Sequence, residues 1–161
     1  MAIITDDAYG YSLRRLIDEK RLTPKIVQRL QTQLLDAMAY IQENHLVHPA
    51  ITPENIIFTE YNENLKLLNV GYATTDSITP KAAEDDIRAY GKILNEVLDH
   101  LPTSLPRLRK VARRCEDDPT HYQSIADLQL DMERGRSSQL YVFICVFIFF
   151  MGGLLVWLTM R

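Results

Sequence analysis

The chain has 161 residues, a net charge of −3 and a hydrophobic fraction of 47%. That length fits about one domain of ordinary globular composition. Its cations fall in short stretches, Arg14-Arg15 and Arg107–Arg114, which excludes the long basic face that a nucleic-acid partner needs.

In chain order, Ile3–Thr5 reads as a short strand broken by "DAYGY", and Ser12 is placed to cap a short helix from Leu13 to Lys20. Thr23-Pro24 pairs a capping hydroxyl with a proline, whose missing N–H costs nothing at a helix start. Ile26, Val27, Leu30, Leu34, Met38 and Ile41 then recur at three- and four-residue steps, which predicts one long amphipathic helix stopping at Asn44. The β-prone runs "NIIFT" and "LKLLNV" flank the turn formers "EYNEN" and predict a hairpin. "GYATTDSITPK" reads as a loop. Ile87, Tyr90, Leu94, Val97 and Leu98 predict a helix over 84–99. Leu105, Leu108, Val111, Ala112 and Cys115 mark a third, and a fourth starts at Ser124 with Ile125, Leu128 and Met132 inward.

From Leu140 to Met160 no residue is charged, a run of about 21 positions and long enough to cross a bilayer as a helix. Aromatic and aliphatic residues go all round that cylinder, more than a one-domain core can cover. Arg134 and Arg136 precede the run and only Arg161 follows it, so the positive-inside bias leaves the preceding domain in the cytoplasm and makes the run a tail anchor. Gly152-Gly153 is not a GxxxG pair and supports no dimerising face. Cys115 and Cys145 fall in different environments and read as free thiols of a reducing compartment, with no metal-ligand spacing. The start carries no signal-peptide pattern.

The order of long helix, "HLVHPAITPENIIF", hairpin, "NVG" and "DIRAYGKILNEVL" resembles the C-terminal lobe of a protein kinase of the Ser/Thr type, from about Ile3 to Met132. "YSLRRL" resembles the hinge and "DDPTHYQSIADLQLDME" the last two helices. The resemblance implies a kinase-like C-lobe over 1–133, mainly α with one small hairpin; a linker over 134–139 and the apolar run as a single transmembrane helix over 140–160 complete the expected organisation. The glycine-rich loop, strand lysine and helix glutamate of the N-terminal lobe have no counterpart in the sequence.

The family's catalytic loop reads His-Arg-Asp, then Lys and Asn two and five residues after the Asp. His48 matches the His. Pro49 stands at the Arg, removing the usual partner of an activation-loop phosphate. Ala50 stands at the Asp that accepts the proton of the attacking hydroxyl, and a methyl accepts none. Thr52 replaces the Lys. Asn55 matches the metal-binding Asn, but the Asp-Phe-Gly aspartate is Asn69, a neutral and weak ligand for a hard cation. His121 stands where the Arg that pairs with the family's Ala-Pro-Glu glutamate is expected.

Asp86 matches the carboxylate that anchors the catalytic loop to the central helix, and Gly91 the small residue later in that helix. The plainer readings make His48 a packing residue, Asn55 a turn residue bonding the loop backbone and Asn69 a strand-end residue. Asp85, Asp6 and Asp7 read as solvated, and Tyr72, Thr74, Thr75, Ser77 and Thr79 as a loop without a phosphate reader.

The resulting expectation is a catalytically inactive, membrane-anchored pseudokinase-like scaffold with no resident cofactor or metal. Its partners are the membrane and a protein, either an active kinase or its substrate. The alternative is the C-lobe of a Ser/Thr kinase that takes Mg-ATP once an N-lobe is supplied from elsewhere. A third reading, an unrelated helical adaptor, expects no hairpin after the long helix.

Overall fold

The computed structural model describes residues 9–44, 46–48, 50–72, 80–102 and 104–134. The expected strand Ile3–Thr5, the phosphorylatable residues from Thr74 to Thr79, Cys145 and the span Leu140–Met160 lie outside them. Among the described residues no helix is long and apolar enough to cross a membrane. The chain divides into two units at Ile125 and Ala126.

The first unit opens with strand β1, Gly10–Ser12, and helix α1, Leu13–Asp18. Gly10 and Tyr11, the last two residues of the expected break "DAYGY", therefore lie in a strand. A Cβ on Gly10 would sit 2.1 Å from the Phe58 carbonyl oxygen, so only glycine lets the two backbones lie this close. Ser12 caps α1 by accepting from the Arg15 N–H at 3.2 Å. The helix ends two residues before the expected Lys20, which takes φ 55. Lys20 N–H donates to Ile17 at 3.0 Å and Arg21 N–H to Leu16 at 2.8 Å, the paired closing bonds of a left-handed C-terminal cap.

Helix α2, Pro24–Glu43, starts under Thr23 and stops at Asn44, with its predicted apolar face buried. Burial of that face, rather than propensity, holds such a helix. After strand β2, Leu46–Val47, come β3, Ile56–Thr59, and β4, Leu65–Leu67. The hairpin is present, contrary to the adaptor reading. Its sheet has the order β1-β3-β4, all antiparallel, with Tyr11 opposite Phe58 and Phe58 opposite Leu65. Strand β5, Gly71–Tyr72, pairs with β2 in a two-residue ladder that apolar alternation is too short to reveal.

Polar side chains of α2 hold the hairpin turn. Lys25 Nζ is 2.6 Å from Glu63, and Arg29 donates to Asn64 Oδ1 at 2.9 Å and to the Asn62 carbonyl. Gln33 Oε1 accepts from the Leu65 N–H at 2.7 Å.

Helix α3, Pro80–Asp99, begins four residues before the expected 84. Proline suits a first helical position, and the apolar periodicity starts only at Ile87. Helix α4, Pro106–Asp117, packs Leu108, Val111, Ala112 and Cys115 inward. Leu105, expected on that face, is 36% exposed because it caps the helix from outside. Gly91 on α3 marks the closest approach of α4, as a Cβ there would lie 2.7 Å from both the Ala112 oxygen and the Glu116 nitrogen. A 3-10 turn, Pro119–His121, follows, with the His121 ring edge-on to Tyr122 at 4.9 Å. The described part of the second unit is helical and belongs to a helix over 125–134, α5. Ile125 and Leu128 are buried and Met132 is half-buried.

Candidate functional site

The site is the loop from His48 to Asn55 together with Asn69 at the end of β4. The α2 clamp on the hairpin turn fixes β3 and β4, and those strands carry Asn55 and Asn69 at their ends. Leu68 N–H donates to the Asn55 carbonyl at 2.8 Å, so the two ends are joined through the backbone as well. Asn69 has φ 61, the left-handed region that Asn tolerates better than most residues with a Cβ. That turn takes the chain out of β4 and directs the Asn69 side chain back to Asn55.

Asn55 Nδ2 donates to the Ala50 carbonyl at 3.1 Å. A carbonyl can only accept, so this bond fixes which end of the Asn55 amide faces Ala50. The other end, Oδ1, accepts from Asn69 Nδ2 at 3.1 Å. The oxygen that would have to face a cation is thus already met by the positive end of a neighbouring amide dipole. Ala50 is exposed and offers only its methyl group. Among the described residues no group of three or more His, Cys, Asp or Glu could hold a metal ion.

His48 opens the loop with its side chain 7% exposed and its Nε2 3.2 Å from Asp86 Oδ1 on α3. The loop is joined to the central helix at that point. Asp85, its neighbour, is solvated and lies 3.8 Å from Arg88. Pro49 lies outside the described residues.

Thr52 takes a bond the sequence does not announce, from its hydroxyl to the Glu54 carboxylate. Glu54 also accepts from Arg14 Nε at 2.8 Å. Arg14 in turn grips Glu96 of α3 with both terminal nitrogens, and its backbone N–H donates to the Pro53 carbonyl at 3.1 Å. Hydrogen bonds from Arg14, then Thr52, hold the Glu54 carboxyl down at about 2, and the same carboxylates push the Arg14 guanidinium upward. One arginine therefore ties α1, the loop and α3 together. Sequence reasoning missed this clamp. "Pro-Glu-Asn" marks the segment, but no spacing rule joins Glu54 to a residue 40 positions away or Glu96 to one 82 away.

The fold defines a class: a mainly helical module with a small antiparallel sheet, whose loop from His48 to Asn55 is joined to α3 and to the end of the hairpin. No family model matches the chain. Curated relatives are nonetheless Ser/Thr protein kinases. The chain is 33% identical over 95 residues to the serine/threonine-protein kinase SSK22 of Saccharomyces cerevisiae, covering 55% of this chain and 7% of that protein. It is 36% identical over 70 residues to the mitogen-activated protein kinase mpkC of Aspergillus niger, covering 44% of this chain and 17% of that protein. A putative serine/threonine-protein kinase of Mycoplasma genitalium matches at 26% over 133 residues, 79% of this chain and 34% of that protein. The chain is kinase-like, spans about a third or less of these relatives, and has the mainly helical fold that fits a kinase C-lobe.

Proposed function

We propose that this chain is a catalytically inactive, kinase-like binding module anchored to a membrane by Leu140–Met160, with its folded part on the cytoplasmic side. Its partner is a protein, either an active kinase or a kinase substrate. The observation that carries the reading is the amide pair Asn55–Asn69 beside Ala50. Where phosphoryl transfer needs a base and a magnesium carboxylate, the loop has a methyl group and two neutral amides bonded to each other. Loss of general-base catalysis alone costs about 10²–10⁴ in rate. The scaffold contacts remain: His48 with Asp86, and Arg14 with Glu54 and Glu96.

The kinase relatives favour a second reading, in which the chain is the C-lobe portion of a Ser/Thr kinase that transfers phosphate from ATP when completed by an N-lobe. Titration calorimetry with Mg-ATP separates the two. The binding module takes up no heat at physiological nucleotide concentrations and moves no radiolabelled phosphate onto protein acceptors. Saturable binding, or transfer abolished by a bulky substitution at Ala50, supports the second reading and overturns the first.

A further inference from the structure

Helix α4 buries Leu108, Val111, Ala112 and Cys115 on one face and exposes Arg107, Lys110 and Arg113 on the opposite side. The three recur at steps of three residues, a stripe of roughly 9 Å along the axis. The helix holds five basic against two acidic residues in a chain whose net charge is −3. Several cations outside this face are engaged: Arg14, Arg15, Arg21 and Lys25 each hold a carboxylate, and on α4 itself Arg109 pairs with Asp99 at 2.5 Å. Lys110 and Arg113 have no ion-pair partner among the described residues. Two outward cations with no ion-pair partner among the described residues, beside an exposed third, in an acidic chain, form a surface complementary to negative charge.

We propose that this face of α4 lies against the anionic headgroups of the bilayer that holds the 140–160 run, an inference that rests on the anchor reading above. The stripe is too short to neutralise the row of phosphates that a nucleic acid presents. A bilayer surface demands less. Each Lys or Arg near an anionic leaflet strengthens binding about fivefold. Contact that weak cannot hold a free protein, but a tether in the same membrane makes it an intramolecular event at high effective concentration.

The test uses the full chain reconstituted into vesicles of phosphatidylcholine alone or mixed with phosphatidylserine. Two readouts are flotation with the vesicles and the acylation rate of Lys110, followed by mass spectrometry. The chain floats with both vesicle types. Phosphatidylserine slows Lys110 acylation several-fold, about 1 M salt restores the rate, and Arg107→Glu with Arg113→Glu restores it at low salt. Both positions are exposed, and far-ultraviolet circular dichroism checks that the double variant is folded. A chain that floats with both vesicles while Lys110 reacts equally in each overturns this inference and leaves the anchor standing. Protection that persists in the folded double variant also overturns it. A chain that fails to float with neutral vesicles overturns the anchor, and this inference with it.

Discussion

Gly91→Ala tests whether backbone contact or helix propensity governs the α3–α4 crossing. The added Cβ would stand 2.7 Å from the Ala112 oxygen, 2.7 Å from the Glu116 nitrogen and 2.8 Å from the Cys115 Cβ, against ordinary contact at 3.4 Å and beyond. Two of the three obstacles are backbone, so no rotamer change clears them and α4 must retreat by roughly 0.7 Å. Overpacking of this kind costs ~1–3 kcal/mol, and rigid obstacles place this site near the upper end. Alanine's better propensity returns ~1 kcal/mol. The expected result is a loss of about 2 kcal/mol, read as a lower urea midpoint at unchanged slope in the detergent-solubilised chain. With a slope of ~1–2 kcal/mol per molar urea the midpoint falls by about 1–2 M. A midpoint equal to or above that of the parent would refute the reasoning, since propensity alone predicts a gain.

Three further outcomes follow from the same geometry. Lys20→Gly relieves a left-handed residue at the α1 cap and is expected to stabilise the chain by ~0.5–1 kcal/mol, so an unchanged melting temperature would contradict the cap. Glu54 titrates at about 2 in the folded chain against 4.5 ordinarily. Its folded value is the lower one, so its contribution is complete above pH 4.5 and disappears as the pH falls through 2. Its carboxylate is 56% exposed, which holds that contribution under ~1 kcal/mol. Glu54→Gln should flatten the acid limb of stability against pH, and identical limbs would show that the Arg14 contact is idle. Asn69→Asp sets a carboxylate where an N–H now meets Asn55 Oδ1. It is expected to lower stability by ~1 kcal/mol in chelator and to recover with magnesium, whereas a melt indifferent to the substitution in chelator would argue against the pair.

Much of the scaffold was legible because burial repeats at the helical period. The faces of α2 and α3 announce themselves through residues such as Leu30, Leu34, Tyr90 and Leu94, all buried here. Short pairings were not legible. Strand β1 exists because Gly10 permits a close approach to Phe58, whereas in sequence Gly10-Tyr11 reads as the end of a break. The β2–β5 ladder is two residues long and carries no pattern. At the loop, residue identities singled out Asn55 and Asn69, but not that the two side chains would bond to each other. That follows from a single left-handed residue and the donor polarity set by the Ala50 carbonyl. The Arg14 clamp depends on three segments meeting in space, which local periodicity does not encode.

The bond between Asn55 and Asn69 closes the loop with two uncharged amides and supplies its own cross-link. Neither amide titrates, so this closure is insensitive to acid in a way that the Arg14–Glu54 contact, which needs an ionised carboxylate, is not.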